Sequence, residues 1–262
     1  MALSIDLSGK TAVITGASSG IGMGMAIMFA RAGAKVVGCS ELAPEHPQSL
    51  LFLNRVSAEG DVSYVQTDVT NKADLENLIN FTLSKYGTID ILLSNAGRNI
   101  FEGADNCSDE SWDKNQHLNL QSHWQIARLC KPYLEKYGEG VIIFTASNHA
   151  YASIPGCFPY NIMKTALMGL VRSLAIEWGP NIRTLGIAPG FIDTAGNQVW
   201  FNRFADPLAE RERTVQMHPV KKLGTPEEIG AWCVFLASSY AAFASGTTYL
   251  IDGGRSALLQ DY

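Results

Sequence analysis

Seven short runs rich in apolar and β-branched residues recur along the chain, at 11–15 (TAVIT), 35–39 (KVVGC), 62–67, 89–94, 141–145, 183–188 and 247–251. None has a clean polar alternate face, which is the pattern of strands buried on both sides. Helical patterns fill the gaps. Residues 21–31 run up to Gly33 and residues 72–85 up to Gly87, so each ends at a glycine suited to a helix C-terminus. Thr225-Pro226-Glu227-Glu228 joins an N-cap threonine, a proline in the first turn and a capping-box glutamate. Longer stretches at 108–137 and 158–178 also read as helix. Strand and helix alternate throughout, which predicts a doubly wound α/β fold: about seven parallel strands with helices on both faces and right-handed connections. No repeat, low-complexity segment or Pro/Gly/Ser-rich linker divides it, so residues 1–262 are expected to form one domain. The rhythm breaks only at 191–224, an insertion of about 30 residues carrying Trp200, Phe201 and Phe204, of the length expected for a lid or binding loop.

Composition narrows the classes. The chain has 262 residues, 47% of them hydrophobic and 17% charged, which supports a packed core rather than disorder. Its 20 basic and 25 acidic residues leave a net charge of −5, so nucleic acid is not an expected partner. The longest apolar stretch, 231–237, is far too short for a membrane span, and Lys10 interrupts any signal-like N-terminal run. Five cysteines, an odd number without a C-x-x-C pair, suit a reducing compartment; a soluble cytoplasmic protein is expected. The histidines (46, 117, 123, 149, 218) show no metal-ligand spacing, so no catalytic metal is expected.

The first candidate chemistry follows the first strand, in Thr15-Gly16-Ala17-Ser18-Ser19-Gly20-Ile21-Gly22. Glycines at a strand-to-helix turn let backbone N–H groups approach a pyrophosphate, and the helix N-terminus adds partial positive charge. The G-x-x-x-G-x-G spacing is neither the commonest dinucleotide fingerprint nor a P-loop. A second candidate is Tyr160-x-x-x-Lys164. Residues four apart share a helix face, so a phenol and an ammonium can point into one cleft. Such a pair is by itself ordinary on helix surfaces. Ser147, at the end of an apolar run 13 residues before the tyrosine, would place a hydroxyl nearby.

Taken in order, these motifs resemble the short-chain dehydrogenase/reductase family along nearly the whole chain. The matches are Thr15-Gly16-x-x-x-Gly20-x-Gly22, Asp68-Val69, Asn95-Ala96-Gly97, Ser147 with Tyr160 and Lys164, Pro189-Gly190 with Thr194, and Asp252-Gly253-Gly254. The resemblance implies a Rossmann-type fold and an NAD(P)-dependent oxidoreductase interconverting an alcohol and a carbonyl. It implies Tyr160 as acid/base, Ser147 as the residue orienting substrate, and Lys164 as the partner that holds the nicotinamide ribose and lowers the Tyr160 pKa. It also implies Asn119, in Leu118-Asn119-Leu120, as the fourth catalytic residue, supporting a water that relays protons. The cofactor set it implies is Gly16, Ser18, Ser19, Gly20, Ile21, Gly22, Ser40, Glu41, Asp68, Val69, Asn95, Ala96, Gly97, Tyr160, Lys164, Pro189, Gly190, Ile192 and Thr194. A phenol near pKa 10 is a poor base, and both a neighbouring ammonium and an oxidised nicotinamide would favour its phenolate, so the Tyr160 pKa is expected to fall.

Cofactor preference turns on the end of the second strand. The family's discriminating aspartate position falls on Ser40, a departure, and Glu41 follows where NADP-preferring members often carry arginine. The other usual basic site is Ser19. With no cation there and a carboxylate that would repel a 2′-phosphate, NAD is favoured over NADP. The resemblance implies that Arg98, Asn99, Asn148, His149 and Trp200 line the substrate pocket. That polar set suits a sugar or polyol. Arg98 could instead pair with Glu102, and Trp200 could pack on Phe204 within a loop helix. Alternatives are a 3-oxoacyl thioester or other carbonyl reductase using NADPH, and a non-catalytic cofactor-binding regulatory protein on the same fold. A homotetramer is the family expectation, pairing the helices at 108–137 and 158–178. The apolar tail at 255–262, with Leu258, Leu259 and Tyr262, could cover an interface or the pocket.

Overall fold

The computed structural model describes residues 4–258. Seven parallel strands form one sheet in the order β3-β2-β1-β4-β5-β6-β7. They are β1 Thr11–Thr15, β2 Lys35–Ser40, β3 Val62–Gln66, β4 Ile91–Ser94, β5 Gly140–Thr145, β6 Ile182–Pro189 and β7 Thr248–Ile251. The helices are α1 Gly20–Arg31, α2 Pro47–Ser57, α3 Lys72–Tyr86, α4 Asp109–Gln116, α5 Ser122–Leu134, α6 Tyr160–Trp178, α7 Ala195–Phe201, α8 Pro207–Gln216 and α9 Pro226–Ala237. Successive strand residues feed opposite layers. Ile14, Val36, Ile143 and Leu185 pack with α1, α2 and α9 residues such as Phe29, Phe52 and Val234. Val13, Val37, Ile142 and Phe144 pack with Leu78, Ile126 and Val171 from α3, α5 and α6. Two covered faces explain why the five inner runs lack a polar side, whereas the edge strands β3 and β7 are only partly buried, against the expectation for all seven, because each has a neighbour on one side alone. Among the described residues, no helix is long and apolar enough to cross a membrane.

From β1 the chain winds outward to β3, then returns to the other side of β1 with β4. This reversal leaves a crevice at the C-terminal ends of β1 and β4, where ligands of open α/β sheets bind. Two helix ends form as the sequence dictates. The Thr225–Glu228 capping box is complete, with Glu228 N–H donating to Thr225 Oγ1 at 3.2 Å and Thr225 N–H to Glu228 Oε2 at 2.9 Å. Left-handed Gly87 ends α3.

Three features depart from the sequence reading. α2 was not anticipated; His46 caps it through Nδ1, and exposed Leu50 and Leu51 blur its apolar stripe. The long helix expected at 108–137 is interrupted by a π-helical turn, His117–Gln121, and closes in a 3₁₀ turn, Glu135–Tyr137. The 191–224 insertion folds into α7 and α8, capped by Thr194 and Asp206. Half of the expected apolar tail at 255–262 falls outside the described residues: Leu258 is exposed, and Leu259 and Tyr262 lie beyond them.

Candidate active site

The turn after β1 is built as a cradle. Gly16 has φ +66°, and a Cβ on Gly22 would sit 2.2 Å from the Gly16 carbonyl oxygen, so a side chain at position 22 would block the turn. Ser19 occupies the N-cap of α1 with no side-chain cap bond, and no acidic residue stands in the first turn. The first-turn N–H groups are therefore available to an anion, which fits the pyrophosphate of a dinucleotide. Ser18 is buried and Ile21 half-buried beside it. Thr194 closes the far side, its Cγ2 3.4 Å from where a Gly20 Cβ would stand. Ile192 is buried and bridges to Gly224, while Gly190 N–H donates to the Ile251 carbonyl, fixing the segment after β6.

Asn95 and Ala96 are tied to this turn. Both backbone N–H groups donate to Thr15 Oγ1, at 2.9 and 3.0 Å, and Asn95 Nδ2 donates to the Thr15 carbonyl at 3.0 Å. The Asn95 side chain thus braces the glycine turn from β4. Farther along the crevice, Ser40 is buried and bonded to the Tyr64 hydroxyl at 2.8 Å. Asp68 is exposed and accepts from Thr70, whereas Val69 is buried.

The four expected catalytic residues converge. Asn119 lies in the π-helical turn, fully buried, a local geometry frequent at functional sites. Its Oδ1 accepts the Arg98 N–H at 3.1 Å, and its Nδ2 donates to the Arg98 carbonyl at 3.0 Å and to Asn115 Oδ1 at 2.8 Å. Lys164 Nζ donates to the Thr145 carbonyl at 2.8 Å and sits 5.7 Å from the centre of the Tyr160 ring. A Cβ on Gly97 would stand 2.7 Å from Asn119 Oδ1 and 3.4 Å from Lys164 Nζ, so glycine is required for this close approach. Ser147 caps a short 3₁₀ turn, accepting from His149 N–H at 3.2 Å.

Protonation corrects one expectation. Burial pushes the Tyr160 phenol above its ordinary value, with the Ser147 hydroxyl pulling it partway back. Burial also lowers Lys164 to about 7. The same desolvation that makes the site acts against both charged forms, so proximity to lysine does not by itself give a phenolate. An added positive charge at the site would favour it.

The expected substrate residues separate. His149 stays at the rim beside Tyr160, their rings 6.4 Å apart, with its Nδ1 buried and without a partner among the described residues. Burial lowers its pKa, assisted by the positive charge of Arg255. Asn148 Oδ1 accepts from the Ser147 hydroxyl at 3.4 Å, and Asn99 is exposed. Arg98 turns away toward β2, ion-paired with Glu41 rather than Glu102, whose carboxylate accepts from Ser111. Trp200 packs among Phe191, Phe201 and Phe204, the last at 4.8 Å, which is the loop-helix packing rather than a clamp. Sequence reasoning missed Phe101, whose ring lies 5.4 Å from that of Tyr160, and Thr15, which anchors the Asn95 turn. Phe101 stands in no recognisable motif; Thr15 was quoted only as part of the turn.

Comparison with known proteins agrees with this geometry. The family model described as Enoyl-(Acyl carrier protein) reductase matches residues 16–256. Dehydrogenase/reductase SDR family member 4 of Caenorhabditis elegans is 36% identical over 254 residues, covering 96% of each chain. Its namesake from Sus scrofa is 34% identical over 259 residues, covering 97% of this chain and 89% of that protein. Among solved structures, ligand-free aldohexose dehydrogenase of Thermoplasma acidophilum aligns with a TM-score of 0.87 at 27% identity, over 98% of this chain and 97% of that one. A 7α-hydroxysteroid dehydrogenase complexed with NADH and 7-oxo glycochenodeoxycholic acid aligns with a TM-score of 0.86 at 33% identity, over 95% of each.

Proposed function

Because the chain belongs to the short-chain dehydrogenase/reductase family, whose members interconvert alcohols and carbonyls with NAD(P), we propose that it acts on a sugar or polyol and favours NAD. Bound NAD(P) supplies the hydride acceptor or donor. The chain's own residues handle the proton and the position. Ser147 holds the substrate oxygen, and Tyr160 takes the hydroxyl proton in oxidation or returns it to the carbonyl oxygen in reduction. Lys164, beside the Tyr160 ring, would hold the nicotinamide ribose, and Asn119 would order the proton path.

The observation that carries the substrate class is the polar rim around Ser147. Asn148 touches the Ser147 hydroxyl, and His149 offers a buried Nδ1 without a partner. A buried polar atom of this kind favours a ligand that can hydrogen-bond to it. The likeness to an aldohexose dehydrogenase supports the same class. The test is the initial rate of NAD reduction across aldoses, sugar acids and polyols at mildly alkaline pH. Turnover confined to one stereochemical set is expected. Silence there, with turnover of steroid, acyl thioester or other carbonyl substrates with NADPH, would replace this reading by the second one. Phe101 against Tyr160 favours that second reading, because it puts an apolar face beside the reacting centre. Silence on every substrate, with dinucleotide bound, would favour a regulatory protein.

The proposed assembly is a cytoplasmic homotetramer of single-domain chains, pairing α4–α5 and α6. Exposed Trp124, Ile162 and Ile176 on those helices support it. Light scattering at micromolar concentration should give four copies; a monomer would refute the assembly.

A further inference from the structure

The Glu41–Arg98 ion pair joins the segments that follow two strands that do not touch, with Glu41 directly after β2 and Arg98 beyond the end of β4. β2 and β4 flank β1, so two strand spacings, about 10 Å, separate them. The long side chains bring the two segments into contact. The Arg98 backbone cannot follow its side chain, because Asn119 holds both its N–H and its carbonyl. The guanidinium is therefore the part of Arg98 that can respond to what enters the crevice. Both side chains are more than half exposed, so the pair is screened by water and exchanges readily.

The two groups have opposite consequences for a dinucleotide. Glu41 can accept from ribose hydroxyls and repels a 2′-phosphate. A guanidinium presents a planar fork of donors that matches phosphate. We propose that Arg98 is a second cofactor-selecting residue, which opposes Glu41 across the crevice by offsetting its charge and receiving the 2′-phosphate of NADP. The preference for NAD then reflects a balance between two strands rather than the residue at the end of β2 alone. The inference rests on reading this crevice as the nucleotide site.

The test is the pair of dissociation constants for NAD and NADP, measured by titration calorimetry on the parent and on Arg98→Gln, Arg98→Lys and Glu41→Gln. Arg98→Gln should raise the ratio of the NADP constant to the NAD constant by about fivefold or more, the size of one screened charge contact. Glu41→Gln should lower the ratio by a similar factor. Arg98→Lys, which keeps the charge and loses the fork, should lie nearer the parent than Arg98→Gln does. Added salt should weaken NADP binding more than NAD binding in the parent. An unchanged ratio in Arg98→Gln, with both dinucleotides still bound, overturns the proposal alone. A parent that binds neither dinucleotide overturns the nucleotide-site reading and the proposal together.

Discussion

At the scale of single residues, Tyr160 and Lys164 show chemistry working against solvation. Both are buried, and burial disfavours phenolate and ammonium alike. The packing gives both a preorganised position, with Lys164 anchored on the Thr145 carbonyl. Tyr160→Phe should leave the NAD dissociation constant nearly unchanged while turnover falls about 100-fold or more, as expected when a general acid/base is lost. Initial rates alongside calorimetry check this, and a near-normal rate constant would remove Tyr160 from its role. The identities and spacings of Asn119, Ser147, Tyr160 and Lys164 were legible in the sequence. The direction of the Tyr160 shift was not, because desolvation depends on every neighbour that excludes water.

At the scale of elements, helix ends carry much of the organisation. Arg183, at the start of β6, directs its guanidinium at the C-terminus of α9 and the turns that follow. It donates to the carbonyls of Leu236, Ala237, Ser238, Ala241 and Ala244 at 2.9–3.4 Å. One cation thereby satisfies carbonyls that a helix end leaves without partners and complements its dipole. Arg183→Met should cost about 2–3 kcal/mol, a drop in melting temperature of about 5–10 °C. Thermal unfolding would show it, and an unchanged melting temperature would mean that water serves those carbonyls equally well. Nothing in the sequence marked Arg183, since its partners lie more than fifty residues away. The π-helical turn at Asn119 was hidden for a related reason: it is held by the Arg98 backbone, not by local propensity.

At the scale of the whole molecule, stability should depend on acid through a buried histidine. His123 on α5 bonds Ser94 Oγ through Nδ1 at 2.7 Å, and its Nε2 is buried without a partner among the described residues. Burial first, then the charge of Lys164, holds its pKa well below 6.5. An unfolded chain takes up that proton below about pH 6.5 while the folded chain refuses it. Stability should therefore be unaffected by His123 above that pH and fall progressively below it. Denaturant unfolding between about pH 7 and pH 5 should show a shallower acid loss for His123→Asn than for the parent. Equal slopes would assign the acid sensitivity to other groups.

The sequence alone determined the strands and a few helix ends, those at Gly33, Gly87 and Thr225, because these depend on short-range rules; the candidate catalytic set was legible through the ordered family motifs. An apolar run with no polar face favours a strand covered on both sides, as the five inner strands are. A Thr-Pro-Glu-Glu start caps itself, and a lysine four residues after a tyrosine shares its helix face. The tertiary structure alone decided which distant groups meet. Arg98, read from the sequence as a substrate residue or a partner of Glu102, pairs with Glu41 across β1, because the order β2-β1-β4 brings those strand ends together. Trp200 joins an aromatic cluster because α7 folds back on Phe191. Burial, which sets the protonation of Tyr160, Lys164 and His123, likewise appears only once both layers cover the sheet, since desolvation is a property of the packed whole.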